Sequence, residues 1–284
     1  MKVTTYAGCL ISSLAVFLAA PAHAQSKNAQ SSEATATAQR LIVRSGVAVQ
    51  LRGFTTQIES EIRQNQAGLD AKMLDALVEA AREAFRPESL QEDITGRMAK
   101  KLTVADMKTA LVWLDGAAGR RITRAEELGS TFDAQGFQAY AEQLKTQPVS
   151  PQRQKLISEL IAVTDAVKAL AASQAAIALG VALGMDSMQP RERRAGEAVL
   201  RSRLRELMPP EKLQAMFAEQ LPGLFAYTYR DISDADFGGY VRFLRTVSGK
   251  RYQEAMNASF VEGLERASVR LGELAAQRQR QTAI

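Results

Sequence analysis

The chain has 284 residues, of which 46% are hydrophobic and 24% are charged, and its formal net charge is +5 at pH 7. This is enough apolar material for two modest cores or for one elongated core. The single cysteine excludes a disulfide within the chain, and the mild positive charge favours contact with an anionic surface or an acidic partner.

Residues 1–24 have the composition of a secretory signal peptide. Lys2 supplies the basic start, residues 10–20 form the apolar stretch, and small residues at 22 and 24 form a cleavage site. We therefore expect a periplasmic or secreted protein that is cut near Ala24 and that does not meet nucleic acid.

The only cysteine and the only histidine, Cys9 and His23, both lie in this predicted signal peptide. After cleavage, the chain lacks the histidine that a Cys-His or Ser-His-Asp site needs, and it lacks both residue types of a His/Cys zinc site. Carboxylate, amine, guanidinium, phenol and hydroxyl groups remain. The sequence thus favours a protein that is not an enzyme and that uses no cofactor or metal.

The first half of the mature chain predicts a flexible leader followed by helices. Residues 25–37 are rich in serine, glutamine, asparagine and alanine without an apolar period, which is typical of a flexible segment. Apolar residues at helical spacing predict one long helix over 38–64 and a second over 69–85, and Pro87 suits the first turn of a third. A helix over 132–144 closes this half.

A motif in residues 102–125 predicts a helix, a tight corner and a second helix. Thr103 with Asp106 three positions later resembles a capping box, which marks a helix start, and the apolar residues that follow lie on one helical face. Gly119 suits a C-terminal cap with positive φ, and two arginines follow it.

Residues 232–255 are a second copy of this motif. Ser233 and Asp236 repeat the helix start, and Gly249 repeats the corner, again followed by two basic residues. The identical pairs are Ala105/Ala235, Asp106/Asp236, Leu114/Leu244, Gly119/Gly249, Arg121/Arg251 and Ala125/Ala255. Such a pattern indicates a duplicated fold rather than a reaction.

Two prolines in residues 146–151 interrupt any continuing helix and mark the boundary between the halves. We therefore predict an all-α fold without a β-sheet, made of two tandem, related helical bundles: repeat 1 over 38–147 and repeat 2 over 152–278. The residues 279–284 read as a polar tail. The face between the repeats is the natural place for a cleft.

In repeat 2, apolar spacing predicts a long helix over 156–185, a second over 191–207 and a last helix over 250–277. Pro210 matches the proline that begins the third helix of repeat 1.

The motif resembles a known bacterial family. Both copies have a hydroxyl-capped helix carrying an aromatic residue, then a small-Gly-basic corner at 118–120 and 248–250, then another helix. This is similar to the family catalogued as domain of unknown function 2059. The resemblance implies a secreted, all-helical protein without an established activity, and it carries no catalytic residues to this sequence.

The two basic corners are the candidate binding site. Arg120, Arg121, Lys250 and Arg251 are the charged feature that both halves share, and at a helix N-terminus they are suited to hold a phosphate or a carboxylate. The alternative is that they are solvated side chains in ion pairs with local acids. These acids are Glu126, Glu127 and Glu254.

Two acids give a hypothesis of a different class. Asp106 and Asp236 suit a carboxylate-dependent hydrolase in the cleft between the repeats, which needs no histidine. Their place at helix starts favours capping instead. The acids at 231, 234 and 236 lack the spacing of a calcium-binding loop.

Residues 169–185 carry no charge and place Ala172, Ala176, Gly180 and Gly184 at intervals of four. We interpret this stretch as a buried central helix. The alternatives are contact with a membrane and close pairing with another helix through the small residues.

We therefore expect an exported, non-catalytic helical protein that binds an envelope protein or an anionic envelope component. The alternatives are the hydrolase and a membrane-peripheral protein held by the 169–185 helix. Trp113 is predicted to lie in the core rather than to stack on a ligand.

Overall fold

The computed structural model describes residues 22–64, 71–130 and 133–282, and these form helices joined by short turns, with no strand among them. The all-α prediction is confirmed. The helices are α1 (Ala22–Arg44), α2 (Val47–Gln64), α3 (Ala71–Ala84), α4 (Pro87–Lys101), α5 (Val104–Asp115), α6 (Ala117–Gly129), α7 (Ala134–Thr146), α8 (Pro151–Val163), α9 (Ala166–Ser187), α10 (Glu197–Leu207), α11 (Pro210–Thr228), α12 (Asp234–Arg245) and α13 (Val247–Thr282), with a 3-10 turn at Arg191–Arg193.

The predicted flexible leader is helical in the structure, and so is part of the predicted polar tail. The leader 25–37 lies within α1, where Lys108 on α5 donates to Glu33 at 2.8 Å. Packing of α1 on α4 and α5 stabilises this helix without a long apolar stripe, so the composition was misleading. The tail 279–284 is helical as far as Thr282. The signal-peptide prediction falls mostly on residues 1–21, outside the described part of the chain.

Each predicted long helix is in fact two helices. The 38–64 prediction is interrupted at Gly46, which has φ of 74°, and the 156–185 prediction starts at Pro151 and is interrupted at Asp165, with φ of 50°. The apolar spacing continues through both breaks, which is why periodicity does not reveal them.

The two halves have corresponding helices with corresponding neighbours. In the first half, α1 packs on α4 and α5, and α2 packs on α3; in the second, α8 packs on α11 and α12, and α9 packs on α10. The predicted boundary is present, with Ser150 capping α8 and Pro151 in its first turn. These matches agree with a duplication, and descent from one ancestral unit stays a prediction.

The halves share one core instead of forming two. Helix α13, which has 36 residues, packs along α9 and also contacts α3, α4 and α5 of the first half. Fully buried side chains from both halves belong to the same cluster. Among them are Phe85, Ile94, Met107, Phe237 and Leu244.

Close packing of glycines joins α9 to α13. A methyl group on Gly184 would overlap the Val269 carbonyl oxygen, and one on Gly272 would overlap the Val181 carbonyl oxygen. The small residues of the 169–185 stretch therefore serve helix pairing inside the molecule. Among the described helices, α9 alone is long and apolar enough to cross a membrane, although only 22% of its most apolar window is buried.

Candidate functional site

The two motif copies begin their helices in the same way. The Thr103 hydroxyl oxygen accepts a hydrogen bond from the Asp106 amide at 3.1 Å, and the Ser233 hydroxyl oxygen accepts one from the Asp236 amide at 3.2 Å. Both capping residues have extended backbone dihedrals, as N-caps do. The predicted helix starts are confirmed.

The corner glycines have a different role from the predicted one. Gly119 and Gly249 lie in the first turn of α6 and α13, and neither has a positive φ. A methyl group on Gly119 would overlap the carbonyl oxygen of Trp113, and one on Gly249 would overlap that of Phe243. Glycine is needed here because two helices approach closely, and the C-terminal cap prediction was wrong.

The basic corners form ion pairs across the two halves. Arg121 on α6 donates two hydrogen bonds to Asp236 on α12, both of 2.8 Å. In the reciprocal pair, Arg251 on α13 lies 3.2 Å from the Asp106 carboxylate on α5. Each of these two arginines therefore forms an ion pair with an acid of the other half. Neither pairs with the acids expected from the sequence.

The other two basic residues stay local. Lys250 lies 3.8 Å from Glu254 one turn away, the kind of surface pair that the sequence suggested. Arg120 donates to the backbone carbonyl of Asp115. Thus the four residues predicted as one anion site have four different partners, which are Asp115, Asp236, Glu254 and Asp106.

Asp106 and Asp236 are held as carboxylates. Hydrogen bonds from the hydroxyls of Ser248 and Thr103, together with Arg251, lower the pKa of Asp106. The pKa of Asp236 is lowered chiefly by its hydrogen bonds with Arg121. Cleavage of a glycosidic bond requires one carboxyl with a raised pKa as a proton donor, so this arrangement does not favour the hydrolase hypothesis.

An aromatic stack lies between the same two helices. The Trp113 ring on α5 stacks on Phe243 of α12 with centroids 4.7 Å apart, and on Tyr240 with centroids 5.0 Å apart. Trp113 and Phe243 occupy equivalent places in the two motif copies. The stack agrees with the predicted core role of Trp113.

A largely buried carboxyl group, which the sequence suggested only as a surface ion-pair partner of the basic corners, lies beneath this interface. Glu126 on α6 accepts a hydrogen bond from the Tyr229 hydroxyl at 2.7 Å and another from Tyr240. Burial raises the pKa of Glu126 to about 7, and it also raises the pKa values of Tyr229 and Tyr240. The sequence pattern that could have indicated this burial is the position of Glu126 one turn after Ile122, on the buried face of α6.

A cleft of about 440 Å³ opens between α6 and the segment 227–232 of the second half. Its charged lining has four arginines and two acids, and apolar side chains such as the exposed Leu128 complete the wall. The charged residues are Arg120, Arg121, Arg124, Arg230, Asp133 and Asp231. Half of the predicted anion set therefore lines one cleft, while Lys250 and Arg251 lie elsewhere.

Two of these arginines make only weak ion pairs within the protein. Arg124, whose side chain is 69% exposed, lies 3.6 Å from Glu127. Arg230 lies over the ring of Tyr227 at 4.1 Å, donates a hydrogen bond to the Tyr227 carbonyl oxygen at 2.7 Å and is 3.6 Å from the exposed Asp231. Exposed ion pairs at such distances are weak, and a guanidinium group has five N–H donors, so both side chains keep donors for a ligand.

Within the described residues, no group of three or more histidine, cysteine, aspartate or glutamate side chains is placed to hold a metal ion. Comparisons with protein-family models, with curated proteins and with solved structures give no match. The resemblance to domain of unknown function 2059 therefore stays a prediction.

Proposed function

We propose that this is an exported, non-catalytic helical protein that binds an anionic component of the cell envelope through the arginine-rich cleft between its halves. The observation that carries the proposal is the shared lining of that cleft by Arg120, Arg124 and Arg230. Guanidinium groups form paired hydrogen bonds with phosphate and carboxylate oxygens, which makes arginine the common residue for binding such groups.

The geometry of the cleft supports a binding role in two further ways. Arg230 is oriented by its contact with Tyr227, so part of the entropy cost of binding is already met in the free protein. The cleft lies between the two halves, where ligands commonly bind. Its volume of about 440 Å³ suits a headgroup or a short segment of a polymer.

Export and lack of catalysis rest on the sequence. The predicted signal peptide contains both the cysteine and the histidine, so the mature chain retains only weaker catalytic groups. A basic cleft on an exported protein faces phosphorylated and carboxylated envelope molecules.

The test compares two double variants that remove the same charge. Arg124→Ala with Arg230→Ala changes the cleft, whereas Arg191→Ala with Arg203→Ala changes exposed residues away from it. We expect the wild type to bind phosphatidylglycerol vesicles in preference to phosphatidylcholine vesicles. The cleft variant should bind at least tenfold more weakly, and the control should change less than twofold.

Equal losses in the two double variants would show diffuse charge attraction and would contradict the proposal. Absence of vesicle binding, with an envelope protein captured by cross-linking in envelope extract, would instead identify a protein partner.

A second candidate function is peripheral attachment to a membrane through α9. The low buried fraction of this apolar helix favours it. Washing cell membranes with concentrated salt separates the two cases, because salt screens binding through the arginine-rich cleft, whereas a protein held by the apolar α9 would stay in the membrane fraction.

A further inference from the structure

Helix α10 is poorly buried compared with its counterpart. The third helix of the first half, α3, buries Leu74, Val78 and three alanines. Helix α10, the third α-helix of the second half, buries none of its residues, and Leu207 is 81% exposed. Its leucines and valine are therefore less covered by neighbouring helices than the apolar face of an amphipathic helix normally is.

An apolar pocket accounts for this difference. It has a volume of about 430 Å³ and lies between α9, α10, α11 and α13. Alanines such as Ala172 and Ala175 form the α9 wall, and Leu204 and Leu213 face them from α10 and α11. Small side chains on one wall leave the space that larger ones would fill.

The pocket is elongated and has basic residues around it. Along α9 it extends from Lys168 to Leu179, which is eleven residues or about 16 Å of helix. Lys168, Arg201 and Arg205 line it, against one acid, Glu265.

The three basic residues differ in their partners. Arg201 pairs with Glu197 and Lys168 with Asp165, both at exposed positions where such pairs are weak. Arg205 has no ion pair or hydrogen bond with any residue in the described part of the chain. It is therefore free to hold an anionic group at the pocket.

We propose that this pocket binds a long-chain fatty acid, with the acyl chain along the alanine wall of α9 and the carboxylate held by Arg205. A narrow apolar space of this length, without an aromatic side chain in its lining, suits a flexible chain better than a flat ring. The excess of positive charge selects an anionic head. This site is separate from the arginine-rich cleft.

The test uses the full purified protein and palmitate below its micelle-forming concentration, with binding followed by calorimetry. We expect saturable binding of one palmitate per chain. Ala175→Leu fills the space beside α9 and should abolish binding, while its melting temperature stays equal to or above that of the wild type. Arg205→Glu should weaken binding at least tenfold, whereas Arg203→Glu, on the same helix but outside the pocket, should have no effect.

If Ala175→Leu lowers the melting temperature, Ala172→Leu at an exposed position of the same wall replaces it. The proposal is overturned if the wild type shows no saturable binding, or if a stably folded pocket-filling variant binds palmitate as the wild type does. Equal affinity for the uncharged sixteen-carbon alcohol would overturn the role of Arg205.

Discussion

Carboxyl groups at the interface between the halves have opposite pKa shifts. Asp106 and Asp236 have lowered pKa values because hydroxyls and arginines donate to them, whereas burial among tyrosines raises the pKa of Glu126. The sign of each shift determines how stability changes with pH.

Glu126→Gln should remove a pH dependence of stability near neutrality. The pKa of Glu126 is raised from its ordinary 4.5 to about 7, so the folded state retains a proton that the unfolded state has lost between these values. Wild-type stability should therefore fall as pH rises through this window, by at most about 3 kcal/mol. Urea unfolding at pH 5 and at pH 7.5 measures it, with Glu127→Gln as the neighbouring control. An unchanged slope in Glu126→Gln would contradict the prediction.

Asp106→Asn should remove a pH dependence of the opposite sign. Its carboxylate is 8% exposed and accepts hydrogen bonds from two hydroxyls and Arg251, so substitution should cost about 1–3 kcal/mol at pH 7. Because the pKa is lowered in the folded state, the carboxylate's contribution to stability is fully present above pH 3.8, its ordinary pKa. This contribution is lost as pH falls through the lower pKa of the folded state. Chemical unfolding from pH 7 to pH 2.5 checks this, and Asp231→Asn, at an exposed position, should have little effect at any pH.

At the level of helices, the sequence predicts starts better than interruptions. Thr103, Ser233 and Pro87 mark beginnings because capping and proline act within one turn, and the structure confirms all three. Beside the breaks at Gly46 and Asp165, side chains of distant helices donate to the backbone, Thr123 to the Arg44 carbonyl and Asn257 to the Thr164 carbonyl, and local patterns do not show such contacts.

Gly184→Ala should destabilise the protein although alanine is the better helix former. The added methyl group would overlap the backbone of α13, so the two helices would have to move apart at a cost of about 1–3 kcal/mol. Gly96→Ala is the matched control, since no atom lies within 4 Å of the added group, and it should stabilise α4 by up to about 1 kcal/mol. Thermal unfolding followed by circular dichroism compares them, and equal melting temperatures would refute the close-packing explanation.

At the level of the whole molecule, the halves are interlocked. The ion pairs Arg121 to Asp236 and Arg251 to Asp106 join residues 115 and 145 positions apart in the chain. The sequence contains both motifs, but spacing within one helix does not indicate which arginine meets which acid. For the same reason the sequence did not predict the arginine-rich cleft or the burial of Glu126. It did single out two of the four cleft arginines, Arg120 and Arg121.

The first half alone, residues 38–147, should not fold cooperatively. Without α13, the surfaces of α3, α4 and α5 that it covers would be exposed to water, and Asp106 would lose Arg251. We expect helical circular dichroism without a sharp urea transition, whereas the full chain should show one. A sharp transition in the isolated half would demonstrate an independent domain.

The position of α13 also has a consequence for biosynthesis. This helix contains the last segment of the described chain, yet it covers helices made near the beginning. During synthesis the apolar surfaces of α3, α4 and α5 that α13 covers therefore stay exposed until α13 has been made. Chaperones bind uncovered apolar surface, so we expect the early segments to be chaperone clients during synthesis.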